Sequence, residues 1–178
     1  MSSINFSKID HIKTEHGVSR PQAEELYQLA KQTDKPILEI GAYLGRSTAC
    51  LALGSQDGHK VPVITVDPFT AHEGSFETFK ENMEKAGVWD LIDVRKTTSD
   101  KVMIDGEIGL LFIDGSHEYK WASHDFIKFH PIVNGWICMH DFHFEGVKRV
   151  FDEYIYPNLR EYNSFKLIKN MIVYDISK

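Results

Sequence analysis

Cysteine is scarce in this chain: Cys50 and Cys138 are the two among 178 residues. Both stand in apolar segments, where a free thiol serves as a small hydrophobe, and so sparse a set points to a reducing compartment, the cytoplasm. No apolar run approaches the roughly 18 residues that a bilayer crossing needs, and the opening stretch from Met1 to Lys13 is polar and mixed in charge, which argues against a membrane partner. An excess of positive charge is missing as well. The formal net charge is -6 and the isoelectric point about 5.8, whereas proteins that hold nucleic acid through its phosphates carry a basic face or stripe. Internal repeats, low-complexity tracts and linker-like shifts of composition are also absent. What remains, with 42% hydrophobic content over 178 residues, fits one domain with a sizeable core, and the acidic balance favours a small-molecule or protein substrate.

The first 35 residues carry one clear helix, from about Pro21 to Gln32, with Ser19 placed as its N-cap and Pro21 in its first turn. They form a helical extension ahead of the main fold. From Pro36 onward, short β-branched runs alternate with longer amphipathic ones, the pattern of parallel strands joined by helical crossovers. Strands are expected at Pro36 to Gly41, Val61 to Asp67, Leu91 to Lys96, Gly109 to Asp114 and Gly135 to His140. Helices are expected from about Gly45 to Ser55, Ser75 to Ala86, Glu118 to Phe129 and Glu145 to Tyr156, the last stopped by Pro157. The fourth strand is a continuous apolar run, as a central strand covered on both faces requires. Phe165 to Lys169 and Met171 to Ile176 read as two strands joined by a tight turn at Lys169 and Asn170, so the sheet should end in an antiparallel hairpin.

The first strand ends in Glu39-Ile40-Gly41-Ala42-Tyr43-Leu44-Gly45-Arg46-Ser47, two glycines four apart between an apolar strand and a helix. Such a turn lets the backbone approach a cofactor, and the helix start behind it offers free N–H groups. A dinucleotide fingerprint needs Gly-x-Gly-x-x-Gly, which this turn lacks, and Glu39 would oppose a pyrophosphate with like charge. A carboxylate there suits a cofactor with a cationic ammonium and sulfonium. Asp67, at the end of the second strand, can accept both hydroxyls of a ribose. S-adenosylmethionine carries all of these groups.

Through Glu39 to Ser47, Val63 to Phe69 and the terminal hairpin, the chain resembles the class I S-adenosylmethionine-dependent methyltransferases. Leu111-Phe112-Ile113-Asp114-Gly115-Ser116-His117-Glu118-Tyr119 and Gly135-Trp136-Ile137-Cys138-Met139-His140-Asp141-Phe142 look like the branch of small-molecule O-methyltransferases of the macrolide-sugar and catechol types. The resemblance implies a Rossmann-like, doubly wound α/β fold over residues 36–178. It also implies a mostly parallel seven-stranded sheet of order 3-2-1-4-5-7-6 with helices on both faces. Glu39, Gly41, Ala42, Tyr43 and Gly45 would hold the methionine half of the cofactor, with Ser47 reaching its carboxylate. Asp67 would take the ribose, Pro68, Phe69, Thr98 and Ser99 would border the adenine, and Asp114 would lie beside the sulfonium methyl.

The fourth and fifth strands should be neighbours, which puts Asp114 and Asp141 on backbones about 4.8 Å apart at the same sheet edge. Two carboxylates this close repel, and a divalent cation would relieve the repulsion, the hard oxygen ligands suiting Mg²⁺, Mn²⁺ or Ca²⁺. Related metal-using enzymes have an acidic pair where this chain has His140-Asp141, a departure that bears on His140 as a ligand and moves the choice of metal toward manganese or iron. For methyl transfer the protein must orient a hydroxylated acceptor and help deprotonate it. Asp114 and Asp141 are the acidic candidates, and His117 and His143 are candidates for accepting the proton, since an unperturbed histidine titrates near pH 6.5. His124 and His130, on or beyond the helix after the fourth strand, read as structural or exposed, and His11, His16, His59 and His72 as loop residues. A metal-dependent hydrolase or oxygenase built on Asp114, His117, His140 and Asp141, and a non-catalytic S-adenosylmethionine-binding module, are the competing readings. Short loops leave the site open or completed by a second subunit, as in a homo-oligomer.

Overall fold

A computed structural model describes residues 3–14 and 17–178. His16 and the first two residues of the polar opening stretch lie outside them. Helix α1 (Arg20–Gln32) begins at a reciprocal cap: the Ser19 N–H and hydroxyl both donate to Gln22 Oε1, at 2.9 and 2.7 Å. Then follow β1 (Ile37–Ile40), α2 (Arg46–Asp57), β2 (Val63–Val66), α3 (Ser75–Ala86), β3 (Ile92–Arg95), β4 (Ile108–Ile113), α4 (Tyr119–Phe129), β5 (Val133–Met139), α5 (Glu145–Val150), β6 (Ser164–Ile168) and β7 (Met171–Asp175). The seven strands form one sheet of order β3-β2-β1-β4-β5-β7-β6, parallel except where β7 joins β5 and β6. This is the doubly wound order implied by the resemblance.

The sheet is apolar on both faces because each central strand alternates between two cores. Leu110 and Phe112 of β4 face α1, α2 and α3, together with Leu26, Leu51, Phe79 and Met83. Leu111 and Ile113 face α4 and α5, with Phe126, Phe129, Val147 and Val150. The N-terminal segment belongs to the first of these cores, since Ile4, Ile9, Ile12 and Val18 are buried in it alongside α1. Among the described residues no helix is long and apolar enough to cross a membrane.

Expected boundaries move by one or two residues at several elements, among them the start of β2 (Val63 for Val61) and the end of α2 (Asp57 for Ser55). The helix expected from Glu145 to Tyr156 is α-helical only to Val150; it widens into a π-type turn over Phe151–Ile155 and tightens to a 3₁₀ turn over Tyr156–Glu161. Pro157 explains this, having no N–H to give the carbonyl four residues back and a ring that collides with it. Strand β5 starts two residues earlier than expected. Between Ile108 and Leu110 the register slips, so that Val133 to Trp136 on β5 spans fewer residues of β4, a bulge that no periodicity in the sequence announces.

Candidate active site

The strands stop together at one edge, and the ladder continues one residue past their ends: Gly41 N–H donates to Val66 O (2.9 Å), Asp114 N–H to Ile40 O (2.8 Å) and His140 N–H to Ile113 O (3.0 Å). The edge opens into a cavity of about 870 Å³. Of the residues expected from sequence, Gly41, Ala42, Tyr43, Ser47, Asp67, Pro68, Thr98, Ser99, Asp114, His117 and Asp141 line it. Left-handed backbone gathers there, with φ of +90° at Gly41 and +50°, +54° and +57° at Tyr43, Phe69 and Asp141.

Asp67 is the tie between the first two strand ends. Its Oδ2 accepts the N–H groups of Ala42 (2.8 Å) and Tyr43 (2.9 Å), and its Oδ1 that of Phe69 (2.6 Å). Three of the roughly four acceptor positions of a carboxylate are thus taken. This corrects the expectation that Asp67 can hold both ribose hydroxyls: the turn as folded leaves room for one.

Five expected residues do not reach the cavity. Glu39 is fully buried beneath the first turn of α2, accepting hydroxyls from Ser47 at Oε1 (2.7 Å) and from Thr48 and Thr65 at Oε2 (2.5 and 2.9 Å). The pleat of β1 turns it toward α2, so it braces the glycine turn from below and cannot meet an ammonium group directly. Gly45 caps α2 under the side chains of Met83 and Phe79. Phe69, turned inward by its positive φ, packs on Phe76 and Phe79 with centroids 5.2 and 5.0 Å away, and Thr70 and Ala71 take its place in the wall. His140 lies behind Asp114, and His143 stands outside, its side chain 59% exposed.

Burial pushes the Glu39 carboxyl up to about 7 from 4.5, against the lowering effect of its three hydroxyl partners. The sign for stability follows. A carboxyl whose folded pKa is raised favours the native state fully below about 4.5, and that contribution is lost as pH rises through about 7. The shift corresponds to about 3 kcal/mol. Between pH 5 and pH 9 the wild type should therefore lose up to that much unfolding free energy relative to Glu39→Gln, measured by urea denaturation. A pH-independent difference between the two would show that Glu39 does not titrate in the core.

The acidic and histidine cluster forms at the ends of β4 and β5. His140 Nδ1 is 3.1 Å from Asp114 Oδ1 and 3.4 Å from Asp141 Oδ1. Asn170 Nδ2 donates to Asp141 Oδ1 at 2.7 Å, and His117 Nε2 stands 2.9 Å from Asp141 Oδ2. The His117 ring stacks on Phe144, centroids 4.5 Å apart and planes 1° from parallel, which fixes its direction. Burial raises the Asp114 carboxyl above the usual carboxylate range, against the pull of His140, and Asp141 adds to the rise. For His140, burial alone would lower the pKa, but Asp114 and Asp141 outweigh it and the net shift is upward. One ligand atom from each of Asp114, His140 and Asp141 lies within 4.8 Å of the others. Two hard oxygens and an imidazole nitrogen at that spacing suit a divalent cation.

Several cavity residues escaped the sequence reading. Lys13, Thr14, Gly17 and Val18 of the N-terminal segment line the mouth. Arg46 fastens that segment: its Nε donates to Val18 O (3.1 Å) and its Nη1 to the carbonyls of Ile9 and Ile12 (both 3.2 Å). No motif marks these contacts, because backbone carbonyls carry no sequence signature. Asp125 did leave one. Ala122, Asp125, Phe126 and Phe129 follow helical spacing and are all buried, so a carboxylate sits in an apolar stripe.

A family model described as a methyltransferase domain matches residues 38–142. No curated protein matches. Among solved structures, the O-methyltransferase from Bacillus cereus in complex with SAH (S-adenosylhomocysteine) is 19% identical with a TM-score of 0.70, over 97% of this chain and 87% of that one. The SAH-bound methyltransferase PaMTH1 from Podospora anserina is 16% identical with a TM-score of 0.75, over 99% and 90%. The O-methyltransferase NovP is 16% identical with a TM-score of 0.76, over 93% and 84%.

Proposed function

The chain belongs to the methyltransferase-domain family, a class I S-adenosylmethionine-dependent fold, and from that premise we propose that it moves the methyl group of S-adenosylmethionine to a hydroxyl of a small molecule. The observation that carries this reading is the meeting, in one cavity, of the glycine turn held by Asp67 with the Asp114–His117–Asp141 cluster.

The turn from Gly41 to Tyr43 and Ser47 receives the methionine half, with the positive charges of Lys13 and Arg46 on the same wall to face its carboxylate. Asp67 accepts a ribose hydroxyl, Pro68, Thr98 and Ser99 border the base, and Asp114 stands beside the sulfonium. The acceptor oxygen attacks the methyl carbon in line; the O–C bond forms as the C–S bond breaks, and the sulfur leaves neutral. The hydroxyl proton passes to His117, whose ring Asp141 and Phe144 hold in place. Orientation supplies much of the rate, since the sulfonium is already activated. Asp114, His140 and Asp141 would hold a divalent cation, which when bound lowers the pKa of an acceptor hydroxyl.

The test is calorimetric titration with S-adenosylmethionine and S-adenosylhomocysteine, with Mg²⁺ or Mn²⁺ and after chelation. Binding of both to the wild type is expected. In Asp67→Ala it should weaken by about 10-fold or more, because a charge-assisted hydrogen bond and the anchorage of the turn are lost together. A wild type that binds neither compound under any metal condition would overturn the reading.

A further inference from the structure

The turn that carries His117, between β4 and α4, has little of its own to hold it. Its start is tied to β1, where the Asp114 N–H donates to Ile40 O, but its far end enters α4 at Glu118, whose side chain makes no capping bond among the described residues. The segment of α5 supplies the hold instead, at three points. Phe144, at the N-cap of α5, stacks on the His117 ring. Gly146 lies against the backbone of the turn: a Cβ there would come to 2.2 Å from His117 O and 2.5 Å from Tyr119 N. Farther along, Glu153 accepts the Tyr119 hydroxyl at Oε2 and Arg149 Nε at Oε1 (2.7 Å), and the Arg149 guanidinium carbon stands 3.9 Å from the centroid of the Tyr119 ring. Tyr119 is the first residue of α4, two positions after His117.

We propose that Tyr119, Glu153 and Arg149 form a clamp that positions the base: by fastening the start of α4 to the α5 segment, they hold His117 in place against Asp141 and the acceptor. The inference rests on the reading of His117 as the base. Asp141 leads into the same segment, three residues before Phe144. One continuous stretch from Asp141 to Glu153 thus carries the partner of the base at one end and grips the turn of the base at the other. A surface ion pair by itself stabilises little, and the value of this one is geometric. A base must stand within hydrogen-bond reach of the proton it takes, and a misplacement of about 1 Å can cost about 10²-fold in rate. Glu153 suits the task because it engages both partners at once, one on each carboxylate oxygen, which fixes the phenol and the guanidinium together.

The experiment records the ring protons of His117 by NMR at a single pH in wild type, Tyr119→Phe, Glu153→Ala and Glu153→Gln, with His117→Gln identifying the signals. Over the face of Phe144, 4.5 Å away, these protons should resonate upfield of those of a free histidine. Tyr119→Phe and Glu153→Ala should lose most of that displacement. Their kcat on a hydroxyl compound that the wild type methylates should fall by about 10-fold, while affinity for S-adenosylhomocysteine stays within a few-fold. Glu153→Gln keeps an oxygen for the Tyr119 hydroxyl and should restore most of both. The side chains of Arg149 and Glu153 are 57% and 38% exposed, so the variants should fold. A lower melting temperature with wild-type His117 signals and turnover in folded Glu153→Ala would mark a role in stability alone; that result overturns the clamp and leaves the methyl-transfer reading standing. Full turnover in His117→Gln overturns the base and its clamp together.

Discussion

Asp141→Asn is expected to lower kcat by about 10²–10³-fold on an accepted hydroxyl compound, while affinity for S-adenosylmethionine stays within a few-fold. Asp141 is 6% exposed and sits at the hub of the cluster, in contact with His117, His140 and Asn170. Removing its charge releases the imidazole of His117 from its orienting partner and takes away one of the three ligand positions for a cation. Asparagine tolerates the left-handed φ of +57° at this position and retains an oxygen for Asn170, so the fold should survive. The measurement is steady-state turnover beside calorimetry of the cofactor. Unchanged turnover would remove Asp141, and the proton path through His117, from the mechanism. A wild type that binds the cofactor and transfers nothing to any hydroxyl acceptor would favour the non-catalytic module.

Gly41→Ala should lower the melting temperature by about 6–12 °C and abolish binding of S-adenosylhomocysteine. The backbone there has φ of +90°, and a Cβ would come to 2.3 Å from Asp114 O and 2.6 Å from its carbonyl carbon. Left-handed strain of about 1–2 kcal/mol adds to an overpacking cost of about 1–3 kcal/mol, near 3 kcal/mol together, at about 2–4 °C per kcal/mol for a chain of this size. The atoms displaced are the backbone that carries Asp114, so the cofactor turn and the reacting edge shift at once. Gly74→Ala is the control: its φ is +76° but nothing lies within 4 Å of the added carbon. Equal effects in the two variants would show that φ alone, and not the approach of β1 to β4, accounts for the loss.

The course of the sheet was legible because its central strands are written as apolar runs and its hairpin as two short runs around Lys169-Asn170, where Lys169 takes φ of +56°. The site was legible where a motif and a strand end coincide, as at Gly41, Asp67 and Asp114. Glu39 misled for a physical reason. A charged residue two positions before a glycine turn looks like a ligand, and the hydroxyls that claim it, Ser47, Thr48 and Thr65, come from a helix and a neighbouring strand. Phe69 stands between the lining residues Pro68 and Thr70, but its own left-handed backbone turns the ring inward, and His143 follows the left-handed Asp141 by two residues. Asp125 could have been found from its place in the apolar stripe of α4. The N-terminal wall could not, since it is held by backbone oxygens.

That wall bears on how the molecule opens. Arg46 begins α2 directly behind the cofactor turn, and its guanidinium holds carbonyls from Ile9, Ile12 and Val18. The first segment of the chain cannot lift away without breaking these bonds, each worth about 1.5–3 kcal/mol when the donor is charged. Nor can the start of α2 fray on its own. The two regions therefore breathe as one cooperative unit, and a truncation at the N-terminus would remove no idle tail: it would cut the latch that keeps the first turn of α2 wound.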